Sequence, residues 1–167
     1  NFNILNKNFA SEKKIKVIKS LTKDINKKFN SIIYLNVLEH IEEDKLEIET
    51  ALEKLNNGGY LVILVPAHQK MYSKLDKAVG HFKRYDMDFF KKNHFKNAKI
   101  VKLHFLDILG YLLYHLNKIF FKEETYPSNL KIFIWDKIFT PLTIIIDYFT
   151  GYKFGKNILC VYKKTNH

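Results

Sequence analysis

The sequence predicts an α/β fold in which helices flank a sheet with a parallel centre. Two nearly continuous β-branched and apolar runs, residues 31–38 and 60–65, have the composition of strands in a parallel sheet, and we expect the strand at 31–38 to be covered on both faces. Between them, apolar residues recur at the three- and four-residue spacing of a helix. A strand, a helix and a second strand in succession predict a right-handed crossover, and the length of 167 residues suits one domain.

The first half of the chain predicts a strand, a central strand, a helix and a further strand. A short strand begins at Ile15, because residues 15–19 mix β-branched residues with lysine. Asp44 can cap a helix over residues 45–55, which Asn57, Gly58 and Gly59 would end. The central strand 31–38 precedes this helix, and the strand 60–65 follows it and closes at Pro66, which lacks a backbone N–H.

The second half predicts helices and two more strands. Asp86 or Asp88 can cap a short helix that runs through Phe89, Phe90 and Phe95. The remaining predicted elements are a strand at 99–105, apolar helices at 108–121 and 130–149 with breaks at 126–129 and Pro141, and a last strand at 158–163. We expect residues 106–152 to form a helical insertion on the substrate side and to determine acceptor choice.

The positive charge has a composition that does not favour nucleic-acid binding. The formal net charge is +11, but Arg84 is the only arginine, and proteins that read bases usually use arginine forks. We therefore expect no nucleic-acid partner. A basic, peripheral membrane-binding module, or a non-catalytic domain, is the alternative to an enzyme, because the helices at 108–121 and 130–149 are apolar on several faces.

A cytoplasmic protein without a membrane-spanning helix is expected. Cys160 is the only cysteine, so no intramolecular disulfide can form, and its apolar neighbours predict a buried strand position. Asp136, Lys137 and Asp147 interrupt the most hydrophobic stretch.

Polar side chains follow two of the predicted strands, at the edge where parallel sheets bind ligands. Asn36, Glu39 and His40 come directly after the first apolar run. The second group lies in residues 66–85, where His, Tyr, Asp and Arg concentrate and could orient a hydroxyl, accept its proton and bind an anion. In the simpler alternative, both groups begin ordinary loops, and Arg84 pairs with Asp76 or Asp86.

The two groups together resemble one branch of the class I methyltransferases, similar to the type 11 and type 12 families. The matching patterns are Asn-Val-Leu-Glu-His-Ile at 36–41, Leu-x-x-Gly-Gly-x-Leu-Val-Ile-x-Val-Pro-Ala at 55–67, Tyr-Ser-x-Leu-Asp at 72–76 and Gly-His-x-x-Arg-Tyr at 80–85. The resemblance is strong over residues 32–85 and weaker to the end. It implies a Rossmann-like three-layer sandwich, a sheet of seven strands with the last one antiparallel, and methyl transfer from S-adenosylmethionine to a small-molecule, lipid or glycan acceptor.

The resemblance also implies roles for individual residues. Asn36, Val37 and Leu38 would line S-adenosylmethionine, and Ser20 and Leu21 would approach its adenine. Where the acceptor carries a proton, His81, and after it His40, would be the base. Tyr72, Arg84 and Tyr85 would contact the acceptor.

The resemblance predicts no required metal. Some ubiquinone-pathway O-methyltransferases look similar here and use a carboxylate before Leu-Glu-His to help hold a divalent cation. This sequence has Asn36 at that position, and magnesium favours carboxylate oxygen.

The sequence departs from the family pattern at its beginning. Residues 1–21 contain no glycine, whereas the family binds its cofactor through a glycine-rich loop and an acidic residue after the next strand. We therefore expect residues 1–167 to be a partial methyltransferase domain, its C-terminal two-thirds, which lacks the N-terminal strands. By itself this chain would bind S-adenosylmethionine weakly and be inactive, and the strand at Ile32 would form an unpaired apolar edge.

Overall fold

The computed structural model describes residues 2–120 and 129–166. The predicted helix end at Phe121 and the predicted break at 126–128 lie outside these residues. The described strands are β1 Phe29–Leu35, β2 Leu55–Pro66, β3 Ala98–Leu106 and β4 Asn157–Lys164. The described α-helices are α1 Phe2–Asn8, α2 Asp44–Glu53, α3 Lys74–Ala78, α4 Met87–Lys92, α5 Ile108–Phe120, α6 Asn129–Ile134 and α7 Thr140–Phe149.

The four described strands form one sheet in the order β1-β2-β4-β3. β1 and β2 are parallel, with Ile33 opposite Val62, whereas β4 runs antiparallel to both of its neighbours, β2 and β3. This arrangement confirms the predicted α/β class, the three later strands and the antiparallel last strand. Because β1 and β2 run in the same direction, the loops after them lie at the same edge of the sheet.

The hydrophobic core lies on one face of this sheet. Alternate side chains of β2 and β4, which include Ile63 and Cys160, are fully buried there. They pack in one cluster with apolar residues of α2 and with Phe90 of α4. Cys160 is buried as predicted, and burial raises the pKa of its thiol to about 12, so the thiol stays protonated at neutral pH.

The predicted strand at Ile15 is wrong. Residues 15–20 have no regular secondary structure, and Ile15 and Ile18 are about half exposed. A short β-branched segment becomes a strand only when a neighbouring strand accepts and donates its backbone hydrogen bonds, and β1 pairs with β2 alone.

The expectation that the central strand is covered on both faces is also wrong. Ile32 and Tyr34 of β1 pack against the core, but Ile33 and Leu35 on the opposite face are 58% and 57% exposed. β1 is an edge strand of the described sheet, as the unpaired-edge prediction stated. The strand also ends earlier than predicted, at Leu35 rather than at residue 38.

The helix after β1 ends before the predicted residue. α2 stops at Glu53, and Leu55 begins β2 because it is buried in the core and pairs with Phe29. Gly58 and Gly59 therefore lie inside β2 rather than ending a helix. A Cβ on Gly59 would lie 2.9 Å from the Asn30 carbonyl oxygen, so only glycine fits beside the irregular start of β1.

The predicted caps at Asp44 and Asp86 do not form. Asp44 is the first residue of α2, and its buried carboxylate binds the Tyr85 hydroxyl instead of the helix N-terminus. Asp86 does precede α4, but its side chain makes no capping bond. Asp88, the other predicted cap, lies inside α4 and pairs with Lys92 at 2.8 Å.

The predicted break at Pro141 becomes a change of helix type. Residues Trp135–Phe139 form a π-helical turn between α6 and α7, in which the Thr140 N–H donates to the Trp135 carbonyl. Proline has no N–H to donate at the next position, and the wider turn accommodates that loss without ending the helix. No helix among the described residues is long and apolar enough to cross a bilayer.

α7 holds the start of α5 beside the end of β3. The Asp147 carboxylate is buried and accepts hydrogen bonds from the backbone N–H groups of Asp107 at 2.7 Å and Ile108 at 3.0 Å. The Thr143 hydroxyl accepts a third bond from Leu109 N–H at 3.3 Å. These bonds satisfy N–H groups that a helix cannot pair internally, so polar residues fasten α7 to the rest of the fold.

Candidate functional site

Two loops that are distant in sequence meet at the carboxyl edge of β1 and β2. The first contains Asn36 and a 3₁₀ turn, Leu38–His40, and the second runs from Ala67 to Tyr85. The Phe82 N–H donates to the Glu39 carbonyl at 2.8 Å. Nδ1 of His40 lies 3.1 Å from the Gly80 carbonyl oxygen. The two groups of polar residues therefore form one site.

Asp76 is the centre of the second loop. It is 3% exposed, and its carboxylate accepts bonds from the Ser73 N–H and hydroxyl, both at 2.9 Å, which cap α3. Nε of Arg84 donates to both carboxylate oxygens at 3.0 and 3.1 Å, and Nδ1 of His81 lies 2.9 Å away. Burial alone would raise the pKa of this carboxyl, but the bonds from Arg84 and Ser73 hold it below its usual value.

This arrangement decides between the two alternatives for Arg84. Its side chain pairs with Asp76 rather than with Asp86, and its Nη1 atom is buried without a hydrogen-bond partner in the described structure. The Tyr72 hydroxyl donates to the His81 carbonyl at 2.6 Å. Both side chains thus hold the loop that carries His81.

Tyr85 lies in the core. It is 1% exposed, and its hydroxyl is 2.8 Å from the Asp44 carboxylate and 3.1 Å from the Leu38 carbonyl, so it can donate to either. Lys83 pairs with the same carboxylate at 2.9 Å. Tyr85 therefore connects the second loop to the 3₁₀ turn after β1 and to α2.

Glu39 is a fully buried carboxyl at the centre of the site. Neither of its carboxylate oxygens has a hydrogen-bond partner in the described structure. Nε2 of the His81 ring lies 4.0 Å from Oε1. Burial raises the pKa of Glu39, and its own backbone N–H, followed by the nearby imidazoles of His81 and His40, only partly opposes that rise.

The two predicted base residues lie against each other. The rings of His40 and His81 meet edge to face, with centroids 4.7 Å apart. Potential ligand atoms of Glu39, His40 and His81 all lie within 4.8 Å of one another, so this group is able to hold a metal ion. His40 is exposed and His81 is partly buried, so the cluster extends from the core to the surface.

The predicted cofactor residues have different environments. Asn36 has a positive φ of 50° at the end of β1, and Val37 beside it is 41% exposed, whereas Leu38 is fully buried in the core. Ser20 and Leu21 are exposed and follow no strand. The segment after them is attached through Thr22, whose hydroxyl lies 3.1 Å from the Tyr34 hydroxyl.

Sequence reasoning did not assign a role in the site to Glu39, and it considered Asp76 only as a partner of Arg84. The local signal for Asp76 was the spacing Ser73-x-x-Asp76, which is a capping box at the start of α3. No local signal existed for Glu39. A carboxylate that follows a strand is ordinarily exposed, whereas here the loop after β2 packs against Glu39.

Comparison with solved structures shows what this fold is similar to. No family model and no curated protein matches the sequence. The chain is similar to a candidate methyltransferase (BH2331) from Bacillus halodurans C-125, with a TM-score of 0.57 and 12% identity over 99% of this chain and 79% of that one. YcgJ from Bacillus subtilis gives a TM-score of 0.52 at 7% identity, over 98% of this chain and 78% of that one.

A third similar structure is a chain of the complex between the Haloferax volcanii Trm112 methyltransferase activator and a candidate methyltransferase. Its TM-score is 0.53 at 10% identity. The match covers 90% of this chain but only 61% of that chain, so this chain spans less than two thirds of its length.

Proposed function

Because the chain has the Rossmann-like α/β fold of class I methyltransferases, we propose that the whole protein transfers a methyl group from S-adenosylmethionine to a small-molecule, lipid or glycan acceptor in the cytoplasm. The observation that carries the proposal is the junction of the loop after β1 with the loop after β2. The patterns that resemble methyltransferases lie in these two loops, and the carboxyl edge of such a sheet is where ligands bind.

Alignment would provide most of the catalysis. The sulfonium of S-adenosylmethionine is already a good leaving group, so the protein has to hold the methyl group in line with the acceptor atom. Asn36, Val37 and Leu38 are proposed to line the cofactor. Val37 and Asn36 are exposed at the strand end, where a ligand can reach them, and buried Leu38 would support them from the core.

The loop after β2 would position the acceptor. Tyr72 and Arg84 are proposed as acceptor contacts, and both are fastened to the segment that carries His81. If the acceptor atom is protonated, His81 or His40 would accept the proton. Tyr85 would hold the loop after β2 in place from the core, because its hydroxyl bonds Asp44 and Leu38.

The test measures S-adenosylhomocysteine release by the whole protein against a panel of small-molecule, lipid and glycan acceptors. We expect release with at least one acceptor class, together with binding of S-adenosylmethionine in isothermal titration. Asn36→Gly accepts the positive φ and should weaken that binding about tenfold, equivalent to about 1.4 kcal/mol. Asn57→Gly, a change at an exposed residue of β2, is the matched control. A whole protein that neither binds the cofactor nor releases product would overturn the proposal.

A second candidate function is peripheral membrane binding, which one feature of α7 favours. Its buried residues are polar, Thr143 and Asp147, whereas Ile145 and Phe149 are 55% and 80% exposed. This is the reverse of the usual amphipathic arrangement for a helix on a soluble core. The chain's net charge of +11 would add attraction to anionic lipid.

Vesicle sedimentation tests this second function. We expect the chain to sediment with vesicles of anionic phospholipid at low salt and to be released as salt increases. Ile145→Ser with Phe149→Ser should abolish sedimentation, whereas Lys7→Ser with Lys13→Ser, far from α7 in sequence, should reduce it only slightly. No sedimentation at low salt would exclude the membrane function and leave the methyltransferase proposal unaffected.

A further inference from the structure

We propose that Glu39, His40 and His81 form a binding site for one divalent transition-metal cation of the Zn²⁺ class. The inference rests on the juxtaposition of a buried, unpartnered carboxylate with two imidazoles from two different loops. It does not depend on methyl transfer, because the site is assembled entirely from side chains of this chain. A bound cation would occupy the imidazole nitrogens of His81 and His40, so either residue could accept a proton from an acceptor only in the metal-free protein.

The buried carboxylate of Glu39 is the first argument. Burying a charged carboxylate costs several kcal/mol unless an opposite charge or hydrogen bonds compensate. Both Glu39 oxygens are fully buried, and neither has a hydrogen-bond partner in the described structure. Nε2 of His81 is 4.0 Å away, beyond hydrogen-bond distance. A cation between the carboxylate and the imidazole would satisfy both.

The orientation of His81 is the second argument. Its Nδ1 lies 2.9 Å from the Asp76 carboxylate, so Nδ1 is the ring atom that carries the proton and donates it. Nε2 then has a free lone pair, and this atom faces Glu39. A carboxylate that binds the far nitrogen of a histidine is the arrangement that orients histidine ligands on metals in proteins. Asp76 is itself held by Arg84 and Ser73, so the orientation is well supported.

His40 completes the set from the exposed side. Its Nδ1 lies 3.1 Å from the Gly80 carbonyl oxygen, which can only accept a hydrogen bond, so Nδ1 carries the proton and Nε2 is the nitrogen whose lone pair is available to a cation. Because His40 is exposed, a cation can enter from solvent on this side. Three protein ligands leave a fourth position of a tetrahedral site for water or for a ligand oxygen.

The donor set indicates the class of metal. Two imidazole nitrogens and one carboxylate oxygen suit Zn²⁺ and similar ions, whereas Mg²⁺ favours oxygen ligands. Zinc bonds of about 2.0–2.2 Å place tetrahedral ligand atoms about 3.3 Å apart. Potential ligand atoms of the three side chains lie within 4.8 Å of one another, so binding requires the side chains to close by up to about 1.5 Å.

A zinc site at Glu39 would differ from the expectation that the protein requires no metal. That expectation rested on Asn36, which removes a carboxylate ligand suited to magnesium. The loop from β2 brings His81 next to Glu39 instead, and its imidazole supplies a nitrogen ligand that the strand-end motif does not contain.

The experiment is a titration of ZnCl₂, and separately MgCl₂, into the purified, metal-free chain without S-adenosylmethionine. Isothermal titration and elemental analysis after desalting measure stoichiometry. We expect one equivalent of Zn²⁺ and no binding of Mg²⁺ at the same concentrations. Glu39→Gln should weaken Zn²⁺ binding at least tenfold, and Asp76→Asn should weaken it by about 10- to 100-fold through the orientation of His81.

His94→Gln is the matched control, because His94 is exposed in the loop after α4 and its loss should leave the titration unchanged. Thermal melts of the same proteins check folding: Zn²⁺ should raise the melting temperature of the wild type and of His94→Gln but not of Glu39→Gln. A folded wild type that retains no Zn²⁺, or a Glu39→Gln variant that retains it equally well, would overturn the proposal. A proton would then be what neutralises Glu39, and the outcome would not affect the assay for methyl transfer.

Discussion

Asp76→Asn is expected to lower the free energy of unfolding by about 3 kcal/mol, the loss that follows when one partner of a buried ion pair is removed. Arg84 is 9% exposed and would keep its charge while losing a carboxylate bound through two oxygens. The amide also has only one acceptor oxygen to share between Arg84, Ser73 and His81. Urea denaturation followed by circular dichroism measures the effect.

Asp88→Asn is the control for this prediction. Asp88 pairs with Lys92 at 2.8 Å, but both side chains are mostly exposed, so the change should leave the free energy of unfolding almost unchanged. The two variants thus compare the effect of the same substitution on stability at a buried carboxylate and at a surface carboxylate. If both variants unfold at the same urea concentration, Asp76 does not stabilise the loop as the contacts indicate.

Gly155→Ala is expected to have an effect of similar size, about 3 kcal/mol, for a steric reason. A Cβ at this position would lie 2.2 Å from the Leu106 carbonyl oxygen and 2.7 Å from the Leu106 nitrogen. These are backbone atoms at the end of β3, so they cannot move without disturbing the pairing of β3 with β4. The Gly155 carbonyl also faces the His68 ring at 2.9 Å, so a shift would reach the loop after β2.

Gly58→Ala provides the comparison. Its Cβ would meet no atom within 4 Å, and only its φ of 76° opposes the substitution, at about 1 kcal/mol. Urea denaturation of both variants, with hydrogen exchange of the β3 and β4 amides, measures the difference. Faster exchange in β3 and β4 is expected for Gly155→Ala alone. Equal losses would mean that the close approach to Leu106 is not what requires glycine.

Much of the sheet followed from local patterns. β2, β3 and β4 were predicted because continuous or alternating apolar runs of five or more residues occur between Gly, Pro and Asn, and all three strands formed, β2 five residues longer at its start. The antiparallel direction of β4 came from the family resemblance and was confirmed. The strand predicted at Ile15 did not form. Its pattern was equally local, but no strand among the described residues pairs with it.

The candidate site was found only in part from the sequence. The strand-end motif and the Gly-His-x-x-Arg-Tyr pattern identified the two loops, since polar residues after buried strands are a local signal. The roles of Glu39 and Asp76 depend on contacts between residues far apart in the chain, such as Phe82 N–H with the Glu39 carbonyl. The predicted helix caps were wrong for a related reason. Asp44 was predicted to cap α2 from its neighbours in sequence, but in the folded chain its carboxylate accepts a hydrogen bond from the Tyr85 hydroxyl.

The amino-acid sequence alone determined that this protein has an α/β fold, which strands follow one another, and which edge of the sheet carries polar residues. These properties depend on residue spacing of two to four positions, so they can be read without knowing the packing. Tertiary structure alone decided that β1 has an exposed face, that Asp76 binds His81 and Arg84, and that Glu39 is buried beside two imidazoles. Burial and charge pairing depend on atoms brought together from distant parts of the chain, and no local pattern encodes those distances.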